Sequence, residues 1–246
     1  MQNESAHPKF WLSYGGGVNS TALAVLLVTG ALPQYEPFGV IFADTGEEEN
    51  HTYLYIKEHF EPWLRAHGHE LVTVRPKETV LERWERLHVT GSRLIRACTV
   101  EGKINPIRDY IKTHGGGESL IGIDAGEAHR SDGKIRPLVD LDIDREGCVH
   151  IIKDAGLPAP GKSGCWCCPF KRVSEVVHLV RADPCRVARI GRLEDAATAA
   201  HGVDPYGDGR TQWGNHPVSY WLERAKQQDA FDEDSDPTLP CGCYDG

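Results

Sequence analysis

Apolar positions in the first 155 residues alternate between short continuous runs and longer stretches where they recur every three or four residues. Phe10-Trp11-Leu12-Ser13-Tyr14, Phe38 to Ala43, Glu70 to Arg75 and Ser119 to Ile123 have strand length and turn-forming flanks. Thr21 to Val28 reads as a helix ended near Gly30, with Pro33 beyond. His51 to His67, closed by Gly68, and Glu78 to His88 and Lys103 to Thr113 are three more. Arg136 to Leu141 reads as a further short strand. Asp144 then caps a helix that runs to Ala155, where Gly156 and Pro158 stop it. Nearly continuous apolar strands alternating with helices require a parallel sheet covered on both faces. The expected fold class is therefore α/β, a doubly wound, Rossmann-like parallel sheet.

The character changes after Pro158. A cysteine-rich loop leads into helices at about 171–181 and 184–200, the second opened by Asp183-Pro184. Gly202 to Gly214 reads as loop, Val218 to Gln228 as helix and Asp229 to Asp236 as an acidic, mobile stretch, before Pro240-Cys241-Gly242-Cys243-Tyr244-Asp245-Gly246. This divides the chain into a nucleotide-binding domain over 1–160 and a helical, cysteine-containing extension over 161–246. No internal repeat is present.

Charge and cysteine count narrow the chemistry. A net charge of −9 over 246 residues argues against wholesale polyanion binding, leaving room for a local basic patch. No apolar run approaches the roughly 20 residues of a membrane span, and Met1 to Pro8 lacks the pattern of a secretory signal. A soluble, cytoplasmic protein is expected. In that reducing compartment eight cysteines point to metal ligation or thiol chemistry rather than disulfides.

Ligands of doubly wound sheets bind outside the carboxyl ends of the strands. That predicts one pocket built from Gly15–Ser20 and Asp44–Glu48. Gly15, Gly16 and Gly17 follow the first strand directly, and Val18, Asn19 and Ser20 open the helix, leaving main-chain N–H groups unobstructed for phosphate oxygens. A tight turn needing positive φ is the plain alternative, and it accounts for one glycine rather than three.

Ser13-Tyr14-Gly15-Gly16-Gly17-Val18-Asn19-Ser20-Thr21 resembles the Ser-Gly-Gly-x-Asp-Ser loop of the PP-loop ATP pyrophosphatase and phosphoadenosine-phosphosulfate (PAPS) reductase superfamily, with Gly15 in place of its first serine and Asn19 in place of its aspartate. Asp44-Thr45-Gly46-Glu47-Glu48 is similar to that superfamily's Asp-Thr-Gly-x-Glu segment. Cys98 to Ile107 is similar to its Cys-x4-Lys-x2-Pro stretch. Gly122 to Arg130 is similar to its Gly-x-Arg-x-x-Glu-x-x-Arg segment, with Asp124 in place of an arginine. The resemblance covers residues 10 to 170. It implies the adenine nucleotide alpha-hydrolase-like fold and a site for ATP, or for PAPS or APS, with Mg²⁺. Ser13, Gly15 to Ser20, Asp44, Thr45, Gly46, Glu48, Gly122 and Glu127 would contact the nucleotide, while Lys103 and Arg130 would bind phosphate in catalysis. The bland alternatives are a turn cap for Asp44, a surface ion pair for Arg130 and a solvated position for Lys103.

Cys165 and Cys168 form a Cys-x2-Cys pair followed by Pro169, a spacing that lets two thiolates share one metal centre. Cys98 is the natural third donor, and the resemblance implies a [4Fe–4S] cluster with an open iron. Zinc, with Cys167 or His150 added, and free thiols are the alternatives. Cys148 and Cys185 read as small buried hydrophobes. Cys241 loosely resembles the attacking tail cysteine of sulfonucleotide reductases, with a tail thiol of no role as the alternative.

Lys162, Lys171, Arg172, Arg181, Arg186, Arg189 and Arg192 crowd one stretch. They suggest a nucleic-acid acceptor docking near Lys171–Arg192, with a solvated helix face as the default. Trp166 and Trp213 could stack a base or simply pack a core. The expected activity is adenylylation-linked sulfur transfer or nucleotide or nucleic-acid modification, fed by a sulfur donor. One alternative is a sulfonucleotide reductase that makes sulfite and is regenerated by thioredoxin. The other is a non-catalytic nucleotide-binding subunit of a modification or defence system.

Overall fold

A computed structural model describes residues 7–130, 134–202 and 210–226. Strands β1 (Phe10–Tyr14), β2 (Phe38–Ala43), β3 (Leu71–Val74) and β4 (Glu118–Ile121) form one parallel sheet in the order β3-β2-β1-β4. Leu12 lies beside Val40 on one side and Leu120 on the other. Successive side chains point to opposite faces. Leu12, Tyr14, Val40, Phe42 and Leu120 enter the main core, whereas Trp11, Ile41 and Ala43 enter a smaller core on the other face. Gly39 is the residue that fits beside Trp11, because a Cβ there would lie 2.6 Å from the indole.

Helix α1 (Val18–Val28) covers the first face. Beside it lies a continuous helical stretch made of α2 (Asn50–Tyr55), a π turn (Ile56–Phe60) and α3 (Glu61–Ala66). Helix α8 (Arg145–Asp154) completes the layer, with Asp144 capping it through Gly147 N–H as the sequence suggests. Helix α6 (Asn105–Thr113) covers the second face, reached from α4 (Val80–Leu87) and α5 (Ala97–Thr99) through a π turn at Val100–Ile104. Both faces are clothed, so the sheet is doubly wound. The strand order reverses between β1 and β4, which puts the glycine turn at the switch point where such sheets open.

The strand expected over Arg136–Leu141 is absent. Ile135 makes one parallel bridge to Leu120, and Pro137, with φ fixed for a helix start, begins the short helix α7 (Pro137–Asp140).

In the extension, α9 (Val173–Ala182), α10 (Pro184–His201) and α11 (Val218–Arg224) gather around Trp166, Cys167, Trp213 and Trp221. Val80, Leu81 and Trp84 of α4 belong to the same core. The helix expected to reach Gln228 ends at Arg224, and the acidic stretch with Cys241 and Cys243 lies outside the described residues. No helix among the described residues is long and apolar enough to cross a membrane.

Candidate nucleotide and thiol site

Gly17 precedes α1 without any side-chain cap, so the N–H groups of the first turn are left for another acceptor. Gly16 sits at φ +71°, and a Cβ there would lie 2.7 Å from Thr52 Cγ2. Ser20 closes the turn: its Oγ accepts from Gly15 N–H (3.2 Å) and donates to the Gly17 carbonyl (3.1 Å). Gly122, just past β4, passes so close that a Cβ there would lie 2.6 Å from the backbone of Ser20.

Asn19 clasps this turn to the end of β4. Its amide donates to Asp124 Oδ2 (2.9 Å) and Glu127 Oε2 (3.1 Å), and its oxygen accepts from Arg145 (2.9 Å). Asn19 and Asp124, two of the three departures from the pattern the sequence resembles, therefore compensate one another: with Asp124 present, an amide at position 19 avoids a cluster of three carboxylates. Arg130 pairs with Glu127, whose pKa burial raises against the opposing pull of that guanidinium. Arg130, Arg145, Lys162, Glu127 and Ser163 surround a cavity of about 60 Å³ over the turn, with room for a small anion but not for a nucleoside.

The single pocket expected from Gly15–Ser20 and Asp44–Glu48 is instead divided. Asp44 takes the capping role, with Oδ1 accepting from Gly46 N–H (3.0 Å) and Tyr53 Oη (2.6 Å), and Oδ2 from Arg75 Nε (2.8 Å). Gly46, at φ +79°, packs against Thr79. Thr45 and Glu48 turn toward the cysteines. Glu47 accepts from the Trp166 indole (2.7 Å), and backbone bonds between 47–49 and 164–166 hold the cysteine loop against the end of β2.

Cys98, Cys165 and Cys168 line one cavity of about 20 Å³ together with Thr45 and Lys103. Lys103 Nζ lies 3.0 Å from Glu48 Oε1, and that oxygen is 3.6 Å from Cys165 Sγ. Burial pushes the Cys165 thiol pKa well up. The Glu48 carboxylate adds to this and Lys103 partly opposes it. Burial likewise raises Cys167 and Cys168. Cys167 packs in the extension core and does not line this cavity.

Glu48 Oε2 is buried with no hydrogen-bond partner. Three soft donors around one cavity, beside an unpartnered carboxylate oxygen, fit a metal centre by donor chemistry. Among the described residues no three His, Cys, Asp or Glu side chains lie close enough to hold a single ion, so no zinc site is preformed. His150 stands largely exposed on α8 near Glu146. The present volume suits one water-sized body, so a four-iron cluster requires the loops carrying Cys98 and Cys165–Cys168 to part.

A cavity of about 740 Å³ joins these parts. It shares Lys162 and Ser163 with the phosphate-sized cavity, and Cys165 and Cys168 with the thiol cavity.

No protein-family model matches the chain, and no curated protein matches it in sequence. Solved structures are similar to it, among them these two. One is phosphoadenylyl-sulfate (PAPS) reductase from Candida auris in its phosphate complex, with 18% identity over 63% of this chain and 76% of that chain and a TM-score of 0.42. The other is the U34-tRNA thiolase NcsA from Methanococcus maripaludis with its [4Fe-4S] cluster, with 15% identity over 88% and 80% and a TM-score of 0.47. The likeness is one of architecture.

The basic stretch is largely engaged within the molecule. Lys171 pairs with Glu49, Arg189 with Glu85 through two bonds (2.6 and 2.8 Å), Lys162 with Glu175 and Arg186 with Asp183. Trp166 and Trp213 are buried in the extension core, where the Trp213 indole donates to the Cys168 carbonyl (3.1 Å). Cys148 is buried as expected; Cys185, in the first turn of α10, is exposed instead. Sequence reasoning missed Arg145 and Ser163, since neither belongs to a motif and each reaches the turn only through the tertiary fold.

Proposed function

We propose that this chain is a PP-loop enzyme that binds ATP, adenylylates an acceptor and lets sulfur or nitrogen displace AMP. The observation that carries the reading is the common cavity, which shares Lys162 and Ser163 with the phosphate-sized cavity over the glycine turn and Cys165 and Cys168 with the thiol cavity. The main-chain N–H groups of the α1 first turn, with Arg130, Arg145 and Lys162, hold the phosphates, and bound Mg²⁺ would neutralise their charge. An acceptor oxygen attacks the α-phosphorus and pyrophosphate leaves. A sulfur or nitrogen nucleophile then attacks the activated acceptor carbon, forming a C–S or C–N bond as the acceptor's original C–O bond breaks, and AMP departs with that oxygen. Cys98, Cys165 and Cys168 would hold an iron–sulfur cluster, which supplies a sulfur-binding iron when present. Lys103 keeps the Glu48 carboxylate charge-balanced beside those thiols.

The common cavity is lined by Lys162, Lys171, Arg172 and Arg186 but also by Glu49, Glu175 and Asp183. That near balance favours an acceptor of low charge over a phosphate backbone. The test is incubation of anaerobically prepared protein with labelled ATP and candidate acceptors. Equal yields of AMP and pyrophosphate that depend on acceptor support the reading; sulfite from PAPS and thioredoxin would favour a reductase. A second reading, a nucleotide-binding subunit without catalysis, draws on the carboxylates of Asp124 and Glu127 behind the turn. ATP that binds without release of pyrophosphate for any acceptor selects it.

A further inference from the structure

A cavity of about 500 Å³ lies on the α6 face of the sheet, between that helix and the edge strand β4. Ile104 of the preceding π turn and Ile107 and Ile111 of α6 face Ile121 of β4 across it. Lys103, Arg108, Lys112 and Lys134 also line it, and among the described residues no carboxylate does. The protein as a whole carries −9, and the 740 Å³ and phosphate-sized cavities each include at least one glutamate in their lining.

We propose that this cavity binds a small organic anion, an apolar body of one or two rings bearing a phosphate or sulfonate, at a site separate from the glycine turn. Apolar rings laid on the isoleucines leave water at about 25 cal/mol per Å². The anionic end meets cations without competing carboxylates in the lining. The volume falls in the range of small-molecule sites. The cavity meets the thiol cavity at Thr99 and Lys103 and the phosphate-sized cavity at Ser13. A ligand there lies against the Lys103–Glu48 pair, in a position to draw Lys103 from Glu48.

The probe is 8-anilinonaphthalene-1-sulfonate, titrated into the full chain and followed by fluorescence, with AMP, ATP and inorganic phosphate as competitors. One saturable site is expected. Its Kd rises at least about tenfold in the Arg108→Glu/Lys112→Glu double variant, both positions being exposed on α6. Ser119→Phe, which fills the cavity from β4, abolishes binding, and far-UV circular dichroism reports that each variant is folded. Gly122→Ala leaves the titration unchanged. Saturating ATP lowers the signal no more than inorganic phosphate does. Unaltered binding in both cavity variants, displacement by ATP in the wild type but not in Gly122→Ala, or no saturable site overturns the proposal. None of these outcomes bears on whether the glycine turn holds phosphate.

Discussion

An aspartate at position 19 would set a third carboxylate against Asp124 and Glu127, where Asn19 now donates to both. Asn19→Asp is therefore expected to lose about 1–3 kcal/mol at neutral pH, measured by urea unfolding. The Glu127 pKa is already raised by burial, so that group contributes stability below its unfolded pKa and loses it as pH rises through its folded one. The added aspartate acts in the same sense, and the deficit of the variant shrinks as pH falls toward 4. A deficit independent of pH would contradict this. Lys103→Met leaves Glu48 as a buried, uncompensated charge and costs about 3–5 kcal/mol, recovered in good part by adding Glu48→Gln. A double-mutant cycle measures that coupling. In metal-free protein, mass spectrometry after brief iodoacetamide treatment at neutral pH should find Cys185 labelled before Cys165, Cys167 and Cys168, whose thiolates burial disfavours. The glycine run and the cysteine spacing were legible because each works within a few residues. Glu48 beside Cys165, and Arg145 on Asn19, join positions more than a hundred residues apart, and no local pattern announces them.

Among the elements, β1 and β2 were read to the residue, since buried parallel strands leave nearly continuous apolar runs, and the flanking β3 and β4 were read to within two residues. The misread strand at 136–141 shows the limit: a short apolar segment has no periodicity of its own, and Pro137 decided it. The π turns at Ile56–Phe60 and Val100–Ile104 were invisible for a related reason, because they shift a helix's face by one residue without changing its composition. Glu194 shows how α10 fixes the loop before α11. Its two carboxylate oxygens accept from Gln212 N–H and Val218 N–H, both at 2.8 Å and both buried. Glu194→Gln turns an amide toward one of those donors and is expected to destabilise by about 1–3 kcal/mol, with proteolysis between 210 and 218 accelerated. Unchanged unfolding and cleavage would assign the loop's order to other contacts.

At the scale of the whole molecule, the extension rests on the sheet-containing part through a core that includes α4, and through Lys171–Glu49 and Arg189–Glu85. A sequence shows seven clustered cations; it does not show that acids 122 and 104 residues away take up two of them. The architecture follows from the pattern of apolar runs, while the partition of the sheet's open end into separate cavities follows from long-range ion pairs. The claim on which the function depends is that the turn at Gly15–Ser20 receives phosphate. Titration calorimetry with ATP and Mg²⁺, run on the wild type and on Gly122→Ala, tests it most directly. The new Cβ would push against the backbone of Ser20 and spoil the turn alone. A Kd tighter than about 1 mM that weakens at least about tenfold in the variant is the expected result. No heat from the wild type at millimolar ATP, or equal affinity in both proteins, would contradict it.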